Sequence, residues 1–175
     1  MDLSDQIRDE LIKDVKVRIF DECFPRINQC LEILNDHQIW HRSNQHSNSI
    51  GNLILHLCGN IRQYIISGIG GKKDIRVRHL EFSEKGPLPK ERLQDLMNVL
   101  LMDIKPVLDG ITSDQLVLIK EVQGFRMSVV SILIHVTEHL SYHTGQIAFY
   151  TKQIKDIDLK FYGDLDLDIR SDESK

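Results

Sequence analysis

The stretch Ser131-Ile-Leu-Ile-His-Val-Thr-Glu-His-Leu-Ser-Tyr-His-Thr-Gly-Gln-Ile147 carries histidine at every fourth position, His135, His139 and His143. Four-residue spacing stacks side chains along one stripe of an α-helix, so neighbouring imidazoles can face a common point. Ser128 or Ser131 begins this helix and it reaches about Ile154, a rod of roughly 40 Å at 1.5 Å per residue.

Helical period also dominates the sequence upstream. From Leu3 to about Leu34, apolar residues such as Ile7, Leu11, Val15, Ile19, Ile27 and Leu31 fall three or four apart. Pro25 lies within this run and should kink the helix or divide it in two, because it lacks a backbone donor and crowds the preceding turn. Asn35-Asp36 opens a polar loop that carries Trp40 and extends to Asn48. Ser49 caps a second helix through Leu53, Ile61 and Ile65, ended by Gly68, Gly70 and Gly71. The segment through Arg78 to Gly86 has no period and reads as an ordered connection.

Pro87 and Pro89 introduce a third helix, with Leu93, Met97, Leu100 and Ile104 on its apolar side and Gly110 at its close. Leu116–Phe125 alternates weakly and reads as extended. Four amphipathic helices with little strand predict an all-α fold, a four-helix bundle. Loops of more than ten residues imply crossover connections. We expect a single domain over 1–175, in which about 156–175 is an acidic, partly disordered tail.

Composition narrows the function. The chain of 175 residues is 41% hydrophobic and 27% charged, with a formal charge of −4. That balance fits a globular domain and argues against a nucleic-acid partner, which calls for a basic face. The local cluster Lys72, Lys73, Arg76 and Arg78 is diluted by Asp74 and Glu81 and reads as a solvated loop. No run approaches the ~18–20 apolar residues of a membrane span, and the acidic N-terminus lacks a signal peptide's basic start. Cys23, Cys30 and Cys58 form no CxxC pair, so buried reduced thiols in a cytoplasmic protein are expected.

The histidines carry the chemistry. A zinc-type centre takes three or four ligands from at least two elements. His139 and His143 lie one turn apart on one helix face, and His56 sits on a separate apolar helix, Ile50-Gly-Asn-Leu-Ile-Leu-His-Leu-Cys58. His135 is about 80° around the helix from His143 at 3.6 residues per turn, so it reads as a hydrogen-bonded core residue or as support for the ligands. His135-Val-Thr-Glu-His139 also spells the inverted zinc-protease motif HxxEH. That motif needs a further acidic ligand well downstream, and the only later Glu is Glu173. Glu138 is therefore expected to face solvent or a neighbouring helix.

His56 followed by His139-Leu-Ser-Tyr-His143-Thr-Gly-Gln146 resembles the DinB/YfiT-like superfamily of four-helix metalloproteins, as do Asn48–Asn60 and Asp74–Phe82. The resemblance covers nearly the whole chain. It implies a divalent metal ion, zinc or nickel, held by His56, His139 and His143 with water at open positions, and a homodimer. It also implies a small-molecule substrate and, in some members, a low-molecular-weight thiol used by an S-transferase or isomerase. Thr144 stands where Arg is common, which removes the anion contact that Arg would make.

Two functions follow. In the first, an enzyme, a three-His centre with an open position lowers the pKa of bound water or thiol, and Gln146 orients a ligand or substrate. In the second, a non-catalytic metal-binding bundle, the ion stabilises the fold or reports metal or stress.

Overall fold

A computed structural model describes residues 2–163 and 165–170. Helix α1 has three continuous stretches: Leu3–Lys16, a π-helical Val17–Cys23, and Phe24–Ile33. The wide turns end where Pro25 enters, with the Phe24 amide donating to the Ile19 carbonyl five residues back. A loosened turn ahead of the pyrrolidine ring relieves its clash with the carbonyl four residues earlier. Pro25 therefore divides the α-ladder without ending the helix. Ile19, Phe24, Ile27 and Leu31 on its inner face are almost wholly buried.

The segment read as a polar loop contains a short helix, α2, Asp36–Trp40. Its five residues are too few to show a period. A reciprocal cap specifies it, with the Asn35 side chain accepting from the Gln38 amide and the Gln38 side chain from that of Asn35. Helix α3, Ile50–Ile61, starts from Ser49 as expected and continues as a π-helical Arg62–Ile69. A second unexpected helix, α4, Arg78–Ser83, lies in the connection that lacked a period.

Helix α5, Lys90–Asp109, ends at Gly110. A single 3-10 turn, Asp114–Val117, leads into a two-stranded antiparallel sheet, β1 Ile119–Val122 and β2 Phe125–Ser128. Val122 pairs with Phe125 across Gln123 and Gly124, both at positive φ as a tight primed turn requires. Helix α6, Val129–Lys155, is N-capped by the Ser128 hydroxyl, which accepts from the Ser131 amide at 3.1 Å.

The fold is a helical bundle with one small hairpin. Helix α6 packs against both α1 and α3, and α3 also packs against α5. After α6 the chain folds back, burying Leu159, whose carbonyl accepts from the Gln29 amide at 2.7 Å. The end of the acidic tail, 171–175, lies outside the described residues.

Trp40 fixes the connection between α2 and α3. Its indole donates to the Leu88 carbonyl at 2.9 Å. The ring lies flat on two glycines, where a Cβ at Gly51 would sit 2.7 Å away and one at Gly86 2.5 Å away. Removing the ring opens a void that two glycines cannot fill. Trp40→Ala should lower stability by about 3 kcal/mol, read from the shift in urea midpoint followed by circular dichroism. A midpoint unchanged from wild type would show that the ring anchors nothing.

Candidate metal centre

His56 lies in the second turn of α3, and His139 and His143 lie on successive turns of α6. The antiparallel packing of these helices brings the three together, and one ring nitrogen from each lies within 4.8 Å of the other two. Ring centroids are 4.5 to 5.2 Å apart, each pair meeting edge to face. The Nε2 atoms of His56 and His139 approach to 2.9 Å. Two imidazole lone pairs cannot face each other so closely unless a single hydrogen, or a single cation, lies between them.

The second nitrogen of two rings is already committed. His56 Nδ1 lies 2.9 Å from Glu81 Oε2, and His143 Nδ1 lies 2.7 Å from Gln146 Oε1. Both oxygens accept, so both Nδ1 atoms donate and both Nε2 atoms are left with free lone pairs. Arg76 Nη2 also sits 3.1 Å from His56 Nδ1. Both are donors in this tautomer, so Arg76 directs its hydrogen to Glu81 at 2.8 Å. Gln146 thus orients the His143 ring, and Glu81 does the same for His56.

Glu81 and Arg76 escaped the sequence reading. The Arg76 side chain, placed among solvated basic residues, is only 4% exposed and grips Glu81 through Nε at 2.7 Å as well as Nη2. Burial, the largest single influence, raises the Glu81 carboxyl, but hydrogen bonds from Arg76 and His56 together outweigh it and hold the group below the ordinary carboxylate range. Buried Asn52 positions α4 by donating to the Glu81 and Glu84 carbonyls at 2.9 and 2.8 Å. Arg42 ties the same assembly together, donating to Asn52 and to the Phe82 carbonyl. Phe82 then packs its ring 4.8 Å from that of His56. At Gly59 a Cβ would stand 2.0 Å from Glu81 Oε1, so the carboxylate needs glycine there.

The remaining candidates fall elsewhere. His135 stacks between Tyr64 and His139, and its buried Nε2 has no hydrogen-bond partner among the described residues. Of the two roles expected of it, the stack on His139 fits support for the ligands and not a hydrogen-bonded core residue. Glu138 is exposed and outside the cluster, which leaves the protease motif without its base. Burial, then the neighbouring histidines and Arg76, lowers His139 to about 4. Burial likewise lowers His143 and His135. These imidazoles are neutral near pH 7, the form that ligates metal. A cleft of about 460 Å³ opens beside His143 and Gln146.

The fold is a helical bundle that brings three histidines together. Comparison with solved structures agrees on the fold. A DinB-like protein from Bacillus cereus ATCC 10987 is 20% identical, covering 77% of this chain and 87% of its own, with a TM-score of 0.59. A conserved protein from Enterococcus faecalis is 13% identical, covering 90% and 99%, with a TM-score of 0.67. Comparison with curated proteins gives no match. The family model described as "Protein of unknown function (DUF1572)" matches residues 6–163, and the chain belongs to that family.

The lowered His139 pKa has a consequence for stability. The unfolded chain takes up a proton near the ordinary histidine value of 6.5, whereas the folded chain resists protonation until about 4. Protonation therefore favours unfolding, and stability present above the unfolded value is lost as pH falls through this window. In chelator, the melting temperature should drop as pH is lowered from 6.5 towards 4, and His139→Gln should flatten that slope. An unchanged slope in the variant would place the titration elsewhere.

Proposed function

We propose that His56, His139 and His143 hold a divalent transition ion, zinc or nickel, and that the protein is a metal-dependent enzyme acting on a small molecule. The observation that carries this reading is the commitment of two Nδ1 hydrogens to Glu81 and Gln146, which turns both Nε2 lone pairs to the point where His139 also presents its ring. The donor set suits the ion, since neutral imidazole is a preferred ligand of zinc and nickel. Bound there, such an ion supplies Lewis acidity that makes a water or thiol nucleophilic near neutral pH. Glu81 fixes the tautomer of His56, Gln146 fixes that of His143, and the Phe82 ring packs against that of His56.

Thiol S-transfer is the reaction class we favour, with a low-molecular-weight thiol as co-substrate. The protein's own cysteines do not serve as nucleophiles. Burial raises the thiols of Cys23 and Cys30, and burial with the Glu81 charge pushes Cys58 up to about 12. All three stay protonated, so the thiol must come from outside. We further propose that the chain acts as a single domain in the cytoplasm and pairs as a homodimer, for which exposed Leu3 and Ile7 on α1 offer an apolar face.

A second reading, a non-catalytic ion that secures the bundle, is favoured by the depth of the Arg76–Glu81 pair, which an ion at His56 would help to lock. Chelation separates the two. A catalytic centre in a packed scaffold should lose its ion with the helices intact, whereas a structural one should unfold.

Metal analysis of the purified protein should find one ion per chain. His139→Ala and His56→Ala should abolish it, and Glu81→Gln should weaken affinity by roughly 10–100-fold. Full occupancy in either alanine variant would sink the ligand assignment.

A further inference from the structure

The cleft beside His143 has a chemical character of its own. One wall is a single face of α6, where Tyr142, His143, Gln146 and Phe149 recur at helical spacing. The facing wall is the start of α3, Ile50 and Leu53, with the polar loop from Ser43 to Asn48. Among the described residues that line it, none is Lys, Arg, Asp or Glu. Tyr142 and Phe149 are 62% and 70% exposed, a large aromatic surface left to solvent at the mouth of a cavity. At the other end the Tyr150 hydroxyl is held by His41 Nδ1 and by the Ser43 hydroxyl at 3.4 Å.

This lining selects by charge and by shape. A cationic ligand entering it would shed hydration without meeting an opposite charge and would face the proposed ion beside it, which is costly. A flat ring can lie against Tyr142 and Phe149 in offset or edge-to-face contact, which an aliphatic ring of the same size cannot match. An oxygen on that ring finds a hydrogen-bonding partner in Tyr150, whose orientation His41 and Ser43 already set. His143 and Gln146 lie on the same wall, so a ligand seated here is next to the proposed ion.

We propose that this cleft is the substrate site and that it takes an aromatic molecule bearing an oxygen substituent and no positive charge. The ring rests on Tyr142 and Phe149, and the oxygen is hydrogen-bonded at Tyr150. The functional meaning rests on the metal-centre reading, but the binding itself does not.

The test uses the full chain loaded with zinc, isotopically labelled, and titrated with phenol, cyclohexanol and benzylammonium while amide resonances are followed. Phenol should shift residues 43–50 and 142–150 at lower concentration than either cyclohexanol or benzylammonium. Replacing both Tyr142 and Phe149 by Ala should weaken phenol by roughly tenfold, from two lost aromatic contacts. Both side chains are exposed, so helicity should be retained. Tyr150→Phe should weaken phenol and cyclohexanol alike, since each carries the hydroxyl that Tyr150 would bind. Benzylammonium binding more tightly than phenol, shifts centred elsewhere, or an unchanged phenol response in the double variant would each overturn the proposal. So would self-association through Tyr142 and Phe149 without any response to phenol. The same titration on His139→Ala keeps the two readings apart. A phenol response that survives loss of zinc supports the cleft, and one that survives with zinc still bound supports it while refuting the metal centre.

Discussion

The buried ion pair between Arg76 and Glu81 constrains the site more than any other contact. Neither charge is tolerable alone at that depth, because a desolvated guanidinium or carboxylate without its partner costs several kcal/mol. The pair therefore forces the segment after α3 to fold back against it. Three other features depend on that return. Asn52 reaches the carbonyls of α4, Gly59 leaves room for the carboxylate, and His56 is held in one tautomer. The histidine cluster is thus as well ordered as this one pair.

How far this was legible in the sequence follows from periodicity. His56, His139 and His143 could be found because each sits in a long apolar helix, where spacing alone assigns a face. Capping residues placed the start of α3 at Ser49, the end of α5 at Gly110 and the start of α6 at Ser128 or Ser131, of which Ser128 is the cap. Periodicity fails in short or aperiodic segments. Helices α2 and α4, of five and six residues, contain less than two turns, and Arg76 read as one more solvated base among lysines. Burial is not written in a residue's type. A charged residue near an acidic one looks the same whether both face water or each other. The best available signal was Glu81, in a segment already grouped with the histidine motif by resemblance.

The π-helical stretches show a related limit. Pro25 announced a disturbance in α1, but the sequence did not say whether the helix would stop, bend or widen. Packing decided it. Ile19 and Cys23 on the near side and Ile27 and Leu31 on the far side all enter one core, so a widened turn that keeps both halves in register buries more apolar surface than a break. The second π stretch, Arg62–Ile69, had no proline to mark it.

The surroundings of His56 differ sharply on its two sides, and this sets what an ion there could do. On one side Arg76 cancels the charge of Glu81, so the carboxylate orients the ring without lending net negative charge to the site. Beyond His143, the described residues lining the cleft include no Lys, Arg, Asp or Glu. An ion held by three neutral imidazoles in such a setting would keep its full dipositive charge. That charge favours the deprotonated form of any thiol or water at an open position, since nothing nearby offsets it. A carboxylate ligand in place of one histidine would weaken that pull. The balance of Arg76 against Glu81 is therefore an electrostatic requirement of the proposed chemistry as well as a structural one.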